Sequence, residues 1–98
     1  MTRAEQAIMQ TILSIPEGKV ASYGKVAAAA GYPRHHRQVA RFLRKYGSHV
    51  PWQRVVGAGG VLKTTEDGAM YQRLLLEREG VRFNGGRINL ALYECSFE

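Results

Sequence analysis

The chain has 98 residues, 45% of them hydrophobic and 22% charged, with a formal net charge of +6 and a sequence pI of about 9.9. That size fits a single domain (1–98) around one modest core, and the composition excludes a low-complexity or disordered chain. No apolar run approaches the roughly 18 residues of a membrane span. Met1 to Glu5 lacks the basic-then-apolar order of a secretory leader. The single cysteine, Cys95, cannot form an intramolecular disulfide, so a cytoplasmic protein is expected.

Thr2 to Ile15 reads as a helix. Thr2 and Glu5 have capping-box spacing, and Ala4, Ile8, Ile12 and Ile15 share one face with Ala7 beside them. Pro16 and Gly18 end it. Ser22 caps a second helix, Tyr23 to Ala30, whose apolar side is nearly all alanine (Ala27 to Ala30) and invites close packing. Gly31 gives a sharp stop, and Pro33 opens a third helix from Arg34 to Tyr46. Helix, tight glycine-containing turn, helix is the outline of a helix-turn-helix.

At about 100° per residue, Arg34, Arg37, Arg41, Arg44 and Lys45 fall within an arc of roughly 100° on the third helix. Val39, Phe42, Leu43 and Tyr46 lie opposite. One face packs and the other is uniformly cationic, as a DNA recognition helix requires. Gly47 ends this helix, and Val50 to Gln53 forms a loop. Arg54-Val55-Val56 and Val61-Leu62 read as short strands around Gly57 to Gly60. Thr64 or Thr65 caps a last helix that reaches Glu79, with Leu74, Leu75 and Leu76 inward and Gly80 closing it. In the tail, Gly85-Gly86 marks a hairpin. The expected class is mainly α with short β elements, a winged-helix-like helix-turn-helix domain.

Charge is unevenly placed. No acid lies between residues 18 and 65, a stretch that carries Lys19, Lys25, Arg34, Arg37, Arg41, Arg44, Lys45, Arg54 and Lys63. A basic block inside a folded domain faces a polyanion more often than bare solvent, because solvated faces mix both signs. No His, Cys, Asp and Glu group has metal-site spacing, and no glycine loop is built to cradle phosphates, so neither metal nor cofactor is expected.

Four segments occur in order: Ile15-Pro16-Glu17-Gly18-Lys19-Val20, Ser22-Tyr23-Gly24, Gly31-Tyr32-Pro33 with Arg37-Gln38-Val39, and Pro51-Trp52-Gln53-Arg54-Val55-Val56, with Glu79-Gly80 following. Over about residues 12 to 81, the set resembles the C-terminal DNA-binding domain of the O6-alkylguanine-DNA alkyltransferases. The family's reactive centre reads Pro-Cys-His-Arg. Here Trp52 stands for the alkyl-accepting cysteine and Gln53 for its histidine, a pattern similar to the alkyltransferase-like proteins, which recognise lesions without repairing them. The chemistry agrees. Displacement at carbon needs an activated nucleophile, an indole has no suitable lone pair, and glutamine is no base near neutral pH. The resemblance therefore implies a non-enzymatic sensor that binds O6-alkylguanine in duplex DNA, flips the nucleotide and marks it for nucleotide excision repair.

The resemblance also assigns roles. Arg37 matches the arginine that fills the gap left by the flipped base, although phosphate contact alone is open to it. Tyr23 matches the tyrosine that rotates the flipped nucleotide, and a packing role is the alternative. Ala40 suits close approach to the minor groove. Arg34, Arg41, Arg44 and Lys45 would neutralise phosphates, and Ser22 would support a backbone or phosphate contact. Trp52, Pro51, Gln53, Arg54 and Val55, with Val56, would shape the lesion pocket. Glu79 matches the third member of the reactive relay and would keep a structural role.

There are departures. The chain is two residues shorter than the typical enzyme between Arg37 and Trp52. Thr65-Glu66-Asp67-Gly68 replaces the enzymes' Tyr-Ser-Gly-Gly lid, and Lys63 is the nearest candidate in the lesion pocket for the cation that, in alkyltransferase-like proteins, probes the base beside that lid. His35 and His36 stand where small residues often occur. Two other classes remain open. One is a sequence-specific helix-turn-helix regulator, which would normally dimerise, whereas no dimerisation segment is evident and a monomer is expected. The other is a transferase using Cys95, whose distance in sequence from the pocket argues for a buried or idle thiol.

Overall fold

A computed structural model describes residues 1–97. Among these, α1 (Arg3–Leu13), β1 (Ala21–Ser22), α2 (Tyr23–Ala29), α3 (His36–Tyr46), β2 (Val55–Val56), α4 (Glu66–Arg78), β3 (Phe83–Asn84), β4 (Arg87–Ile88) and α5 (Leu90–Tyr93) follow in chain order. The architecture is the mainly helical one the sequence predicts, with α2 and α3 as the helix-turn-helix. Short 3-10 turns occupy Gly47–His49, Trp52–Arg54 and Ala58–Gly60.

The first helix starts where its cap chemistry dictates. Thr2 Oγ1 accepts from the Glu5 amide at 3.0 Å, while the Thr2 amide donates to Glu5 Oε1 at 2.7 Å. Ile8 and Ile12 bury one face, and Ile15 joins them beyond the helix end. Ser22 caps α2 in the same manner, its Oγ accepting from the Lys25 amide at 3.1 Å. The alanine side of α2 is narrower than expected. Val26 and Ala27 are buried, but Ala28 and Ala29 are exposed, because a seven-residue helix presents only one stripe to its neighbour. Gly31 (φ +94°) makes the stop.

The start of α3 corrects the sequence expectation. Pro33 does not open the helix. Arg34 adopts φ +71°, a conformation no right-handed helix continues, and α3 begins two residues later at His36. Arg34 therefore leaves the cationic face predicted for it. Val39 and Phe42 pack inward as expected. Gly47 caps α3 at φ −56°, and the chain tightens into a 3-10 turn instead of reversing through a left-handed glycine.

The strands depart further. Val55–Val56 pairs in parallel with Ala21–Ser22 (Ala21 opposite Val55, Ser22 opposite Val56), and Val61 makes only an isolated bridge to Arg87. No strand forms at Val61–Leu62. Gly57 to Val61 is instead a closed loop, with the Gly57 amide donating to the Val61 carbonyl at 2.6 Å. Gly60 (φ +85°) lies so close to the Ile88 backbone that a Cβ would collide with it. The tail forms the expected hairpin, β3 against β4, followed by α5. Val20 ties this tail down: its amide donates to the Tyr93 carbonyl at 2.8 Å, and its carbonyl accepts from Cys95 at 2.7 Å.

Alternation along these short strands distributes side chains between two clusters. Ala21 and Val55 join the helical core of Ile8, Ile12, Ile15, Val26, Val39 and Phe42. Val20 and Val56 face the other way, onto Leu76, Val81 and Ile88. Each fully buried aliphatic or phenyl side chain contributes roughly 1.5–3 kcal/mol. On α4, capped by Thr65, Leu76 is buried and Leu75 half-buried, while Leu74 is 46% exposed. Gln72 takes the inward place, because its amide has partners to satisfy: Nε2 donates to the Gln53 and Val55 carbonyls at 3.0 Å each, and Oε1 accepts from Thr64.

Candidate nucleic-acid interface

The parallel pairing of β1 with β2 sets the site. It places the first residue of α2 beside the Trp52–Arg54 turn, with α3 along one side and the start of α4 along the other. Between them lies a cleft of about 780 Å³. Tyr23, Ala40, Leu43, Trp52 and Val55 give it apolar surface, and Arg37, Arg44 and Lys63 supply cations. Among the described residues, no carboxylate lines it.

Electrostatics sharpen this picture. Among the described residues, Arg37, Arg41 and Arg44 have no carboxylate within ion-pair distance. Lys45, on the same helix, reaches Glu5 at 3.6 Å and lies over the Tyr46 ring at 5.1 Å. Its charge is thus partly answered within the protein, whereas the three arginines carry theirs outward. Tyr23 is half-buried. Burial raises its phenol pKa and Arg44 works against that rise, so the phenol stays protonated near neutral pH.

Not every expected residue reaches the cleft. Arg41 is exposed on α3 outside it, Arg34 lies in the preceding turn, and Ser22 is engaged as the cap of α2. Pro51, Gln53 and Arg54 do not line it either. The turn that begins at Trp52 is 3-10, with about 120° between successive side chains. Trp52 therefore faces the cleft while its two followers turn to the opposite side. There Gln53 Nε2 donates to Glu79 Oε2 at 2.7 Å. Arg54 donates from Nε to Glu79 Oε1 at 3.0 Å, from Nη2 to Oε2 at 3.2 Å and from Nη1 to the Ile15 carbonyl at 2.9 Å. The Gly18 amide completes the carboxylate's shell at 3.0 Å. Burial pushes the Glu79 carboxyl up, but Arg54, Gly18 and Gln53 together outweigh it and hold the group below the ordinary carboxylate range. Val56 belongs to the second cluster.

Several lining residues carried no functional signal in sequence. Ser48, Thr64 and Gln72 reach the cleft; so do His36 and, from the stretch matched to the lid, Thr65 and Gly68. Tyr71, beside the cleft and not in its lining, packs against Trp52 as a tilted pair, ring centroids 6.0 Å apart and planes inclined by 35°. The Lys63 stem runs across Gly57, where any Cβ would meet it, and Lys63 lines the cleft. Cys95 is buried away from the cleft in the helical core. Burial pushes its thiol pKa up, with Lys25 and Lys19 opposing, so the reactive thiolate is disfavoured. Among the described residues, no cluster of His, Cys, Asp and Glu is placed to hold a metal, and no helix is long and apolar enough to cross a membrane.

Known proteins resemble this chain in sequence and in fold. The family described as the 6-O-methylguanine DNA methyltransferase DNA-binding domain matches residues 3–81. A DNA base-flipping protein of Escherichia coli K12 is 41% identical over 95 residues, covering 94% of this chain and 74% of its own. Alkyltransferase-like protein 1 of Schizosaccharomyces pombe is 36% identical over 78 residues, covering 76% and 72%. The crystal structure of S. pombe Atl1 with damaged DNA containing O6-carboxymethylguanine superposes with a TM-score of 0.86 at 30% identity, covering 98% of this chain and 97% of that one.

Proposed function

The chain belongs to the family of the 6-O-methylguanine DNA methyltransferase DNA-binding domain, and from that premise we propose that it flips O6-alkylguanine nucleotides out of duplex DNA into the cleft and holds them without transferring the alkyl group. The observation that carries this reading is the cleft wall itself. At the position where the sequence resemblance puts the enzymes' thiol, this wall presents the Trp52 indole, which has no lone pair suited to displacement at carbon.

The rest of the site supports it. The Thr64 hydroxyl donates to Gln72 and the Thr65 hydroxyl accepts from Gly68, so both are used structurally. Glu79 has a glutamine where a relay histidine would stand, and its charge is spent on Arg54 and the Gly18 amide. Flipping costs a few kcal/mol, and less where pairing is already weakened by the lesion. Arg37, cationic and unpaired on the rim, fills the vacated stack with its planar guanidinium. Tyr23 braces the rotated backbone, with Ser22 fixing the helix end that carries it. Ala40 keeps α3 slim enough for the minor groove. Arg41 and Arg44 neutralise phosphates, with Lys45 contributing less because of Glu5. Lys63 meets the lesion strand at the rim. A lesion held but not changed is passed on, and nucleotide excision repair is the pathway proposed to receive it.

The test is binding of duplexes with and without one O6-methylguanine at two salt concentrations, read by Trp52 fluorescence. Tighter binding to the lesion at both salts is expected, with the preference lost in Arg37→Ala. Equal affinities with one steep salt slope would leave only a basic surface gripping phosphate, as a sequence-independent binder does.

A further inference from the structure

Six large apolar side chains are strongly exposed: Met1, Leu13, Met70, Tyr71, Leu74 and Leu92. Three of the six fall within five residues of α4, on the helix that borders the cleft. They are ordered around it. At about 100° per residue, Tyr71 lies roughly 60° from the cleft-lining Gly68, and Leu74 roughly 60° beyond Tyr71. Only Tyr71 has an aromatic partner there. It is 56% exposed, yet its ring packs against Trp52 as a tilted pair. Core packing does not account for a half-exposed tyrosine against the one tryptophan of the chain, since both core clusters close without it.

We propose that Tyr71 and Trp52 form a two-ring wall at the cleft mouth that selects planar aromatic O6-substituents over saturated ones of equal carbon count, with Tyr71 as the specificity-determining residue. This rests on the lesion-binding reading above. A small substituent ends against Trp52. A larger one on the same flipped base extends past the indole toward α4, where Tyr71 supplies the next surface. Aromatic rings prefer offset or tilted partners, and such pairs are worth more than their buried area alone. The two rings, inclined by 35° with centroids 6.0 Å apart, already form such a tilted pair, to which a third ring would add its edge or face. Saturated rings gain the area but not the quadrupole interaction.

The experiment compares four duplexes that carry unmodified guanine, O6-methylguanine, O6-benzylguanine or O6-cyclohexylmethylguanine, bound by the wild-type protein and by Tyr71→Phe and Tyr71→Leu. The wild type is expected to bind benzyl about fivefold more tightly than cyclohexylmethyl, the order of one aromatic pair. Tyr71→Phe keeps that ratio. Tyr71→Leu brings it to about one, and an unchanged circular dichroism spectrum reports that the domain is folded. A benzyl preference that survives Tyr71→Leu, or a wild type that does not distinguish the two rings, overturns the proposal and leaves the lesion reading intact. Equal binding of methylated and unmodified duplexes overturns both.

Discussion

Replacing Glu79 with alanine tests the claim that this carboxylate holds the Trp52 turn in place. The substitution removes four hydrogen bonds at once, from the Gly18 amide, Gln53 Nε2, and Arg54 Nε and Nη2. It also strands the Arg54 guanidinium, only 16% exposed, with one remaining acceptor, the Ile15 carbonyl. Removing one partner of a fully buried pair costs roughly 3–5 kcal/mol, and residual solvent access lowers the figure here to about 3 kcal/mol. That is a large share of a small domain's stability. Urea unfolding followed by Trp52 emission measures it. Arg54→Met combined with Glu79→Leu is expected to cost less than Glu79→Ala alone, because no charge is left unpaired. The pH dependence has a definite sign. The folded carboxyl sits below its unfolded value, so the stabilisation is full above the usual carboxylate pKa of about 4.3 and is lost as pH falls through the lowered folded value. Glu79→Gln removes that acid-side slope. A cost below about 1 kcal/mol for Glu79→Ala, or an unchanged acid limb in Glu79→Gln, would refute the reasoning.

Arg41→Ala and Arg44→Ala are expected to weaken plain and O6-methylguanine duplexes by equal factors and to reduce the salt slope by about 1 each, measured by titration across salt concentrations. A loss confined to the lesion duplex would contradict the phosphate role. Ser22→Ala removes the cap of α2 and is expected to cost about 1 kcal/mol in the same urea assay. Gly60→Ala places a methyl against the Ile88 backbone at φ +85° and is expected to cost more than about 2 kcal/mol, whereas Gly86→Ala, with open space around it, should be far milder. Incubation with O6-methylguanine duplex followed by intact mass should show no adduct on Cys95; a methyl gain there would overturn the non-transferring reading.

Much of the molecule was legible without coordinates because it rests on interactions a few residues apart. The Thr2–Glu5 box, the Ser22 and Thr65 caps, the inward Ile8, Val39 and Phe42, and the arginine face of α3 all follow from helical periodicity and end chemistry. Trp52 and Gln53 stood out in the sequence because the Pro51-Trp52-Gln53-Arg54 stretch around them is continuous. The tertiary structure decided what joins distant segments or depends on one dihedral. Arg34 left the basic face through a single positive φ. Val55 paired in parallel with Ala21, across 33 intervening positions by their numbering, and so set Tyr23 beside Trp52. A 3-10 turn sent Gln53 and Arg54 to Glu79 instead of into the cleft, and Gln72 and Tyr71 came to the site from a helix whose leucines had seemed the inward face. Local periodicity fixes which residues share a face. It does not fix which face meets which neighbour, because that is settled by burial and by hydrogen-bond satisfaction summed over the whole chain.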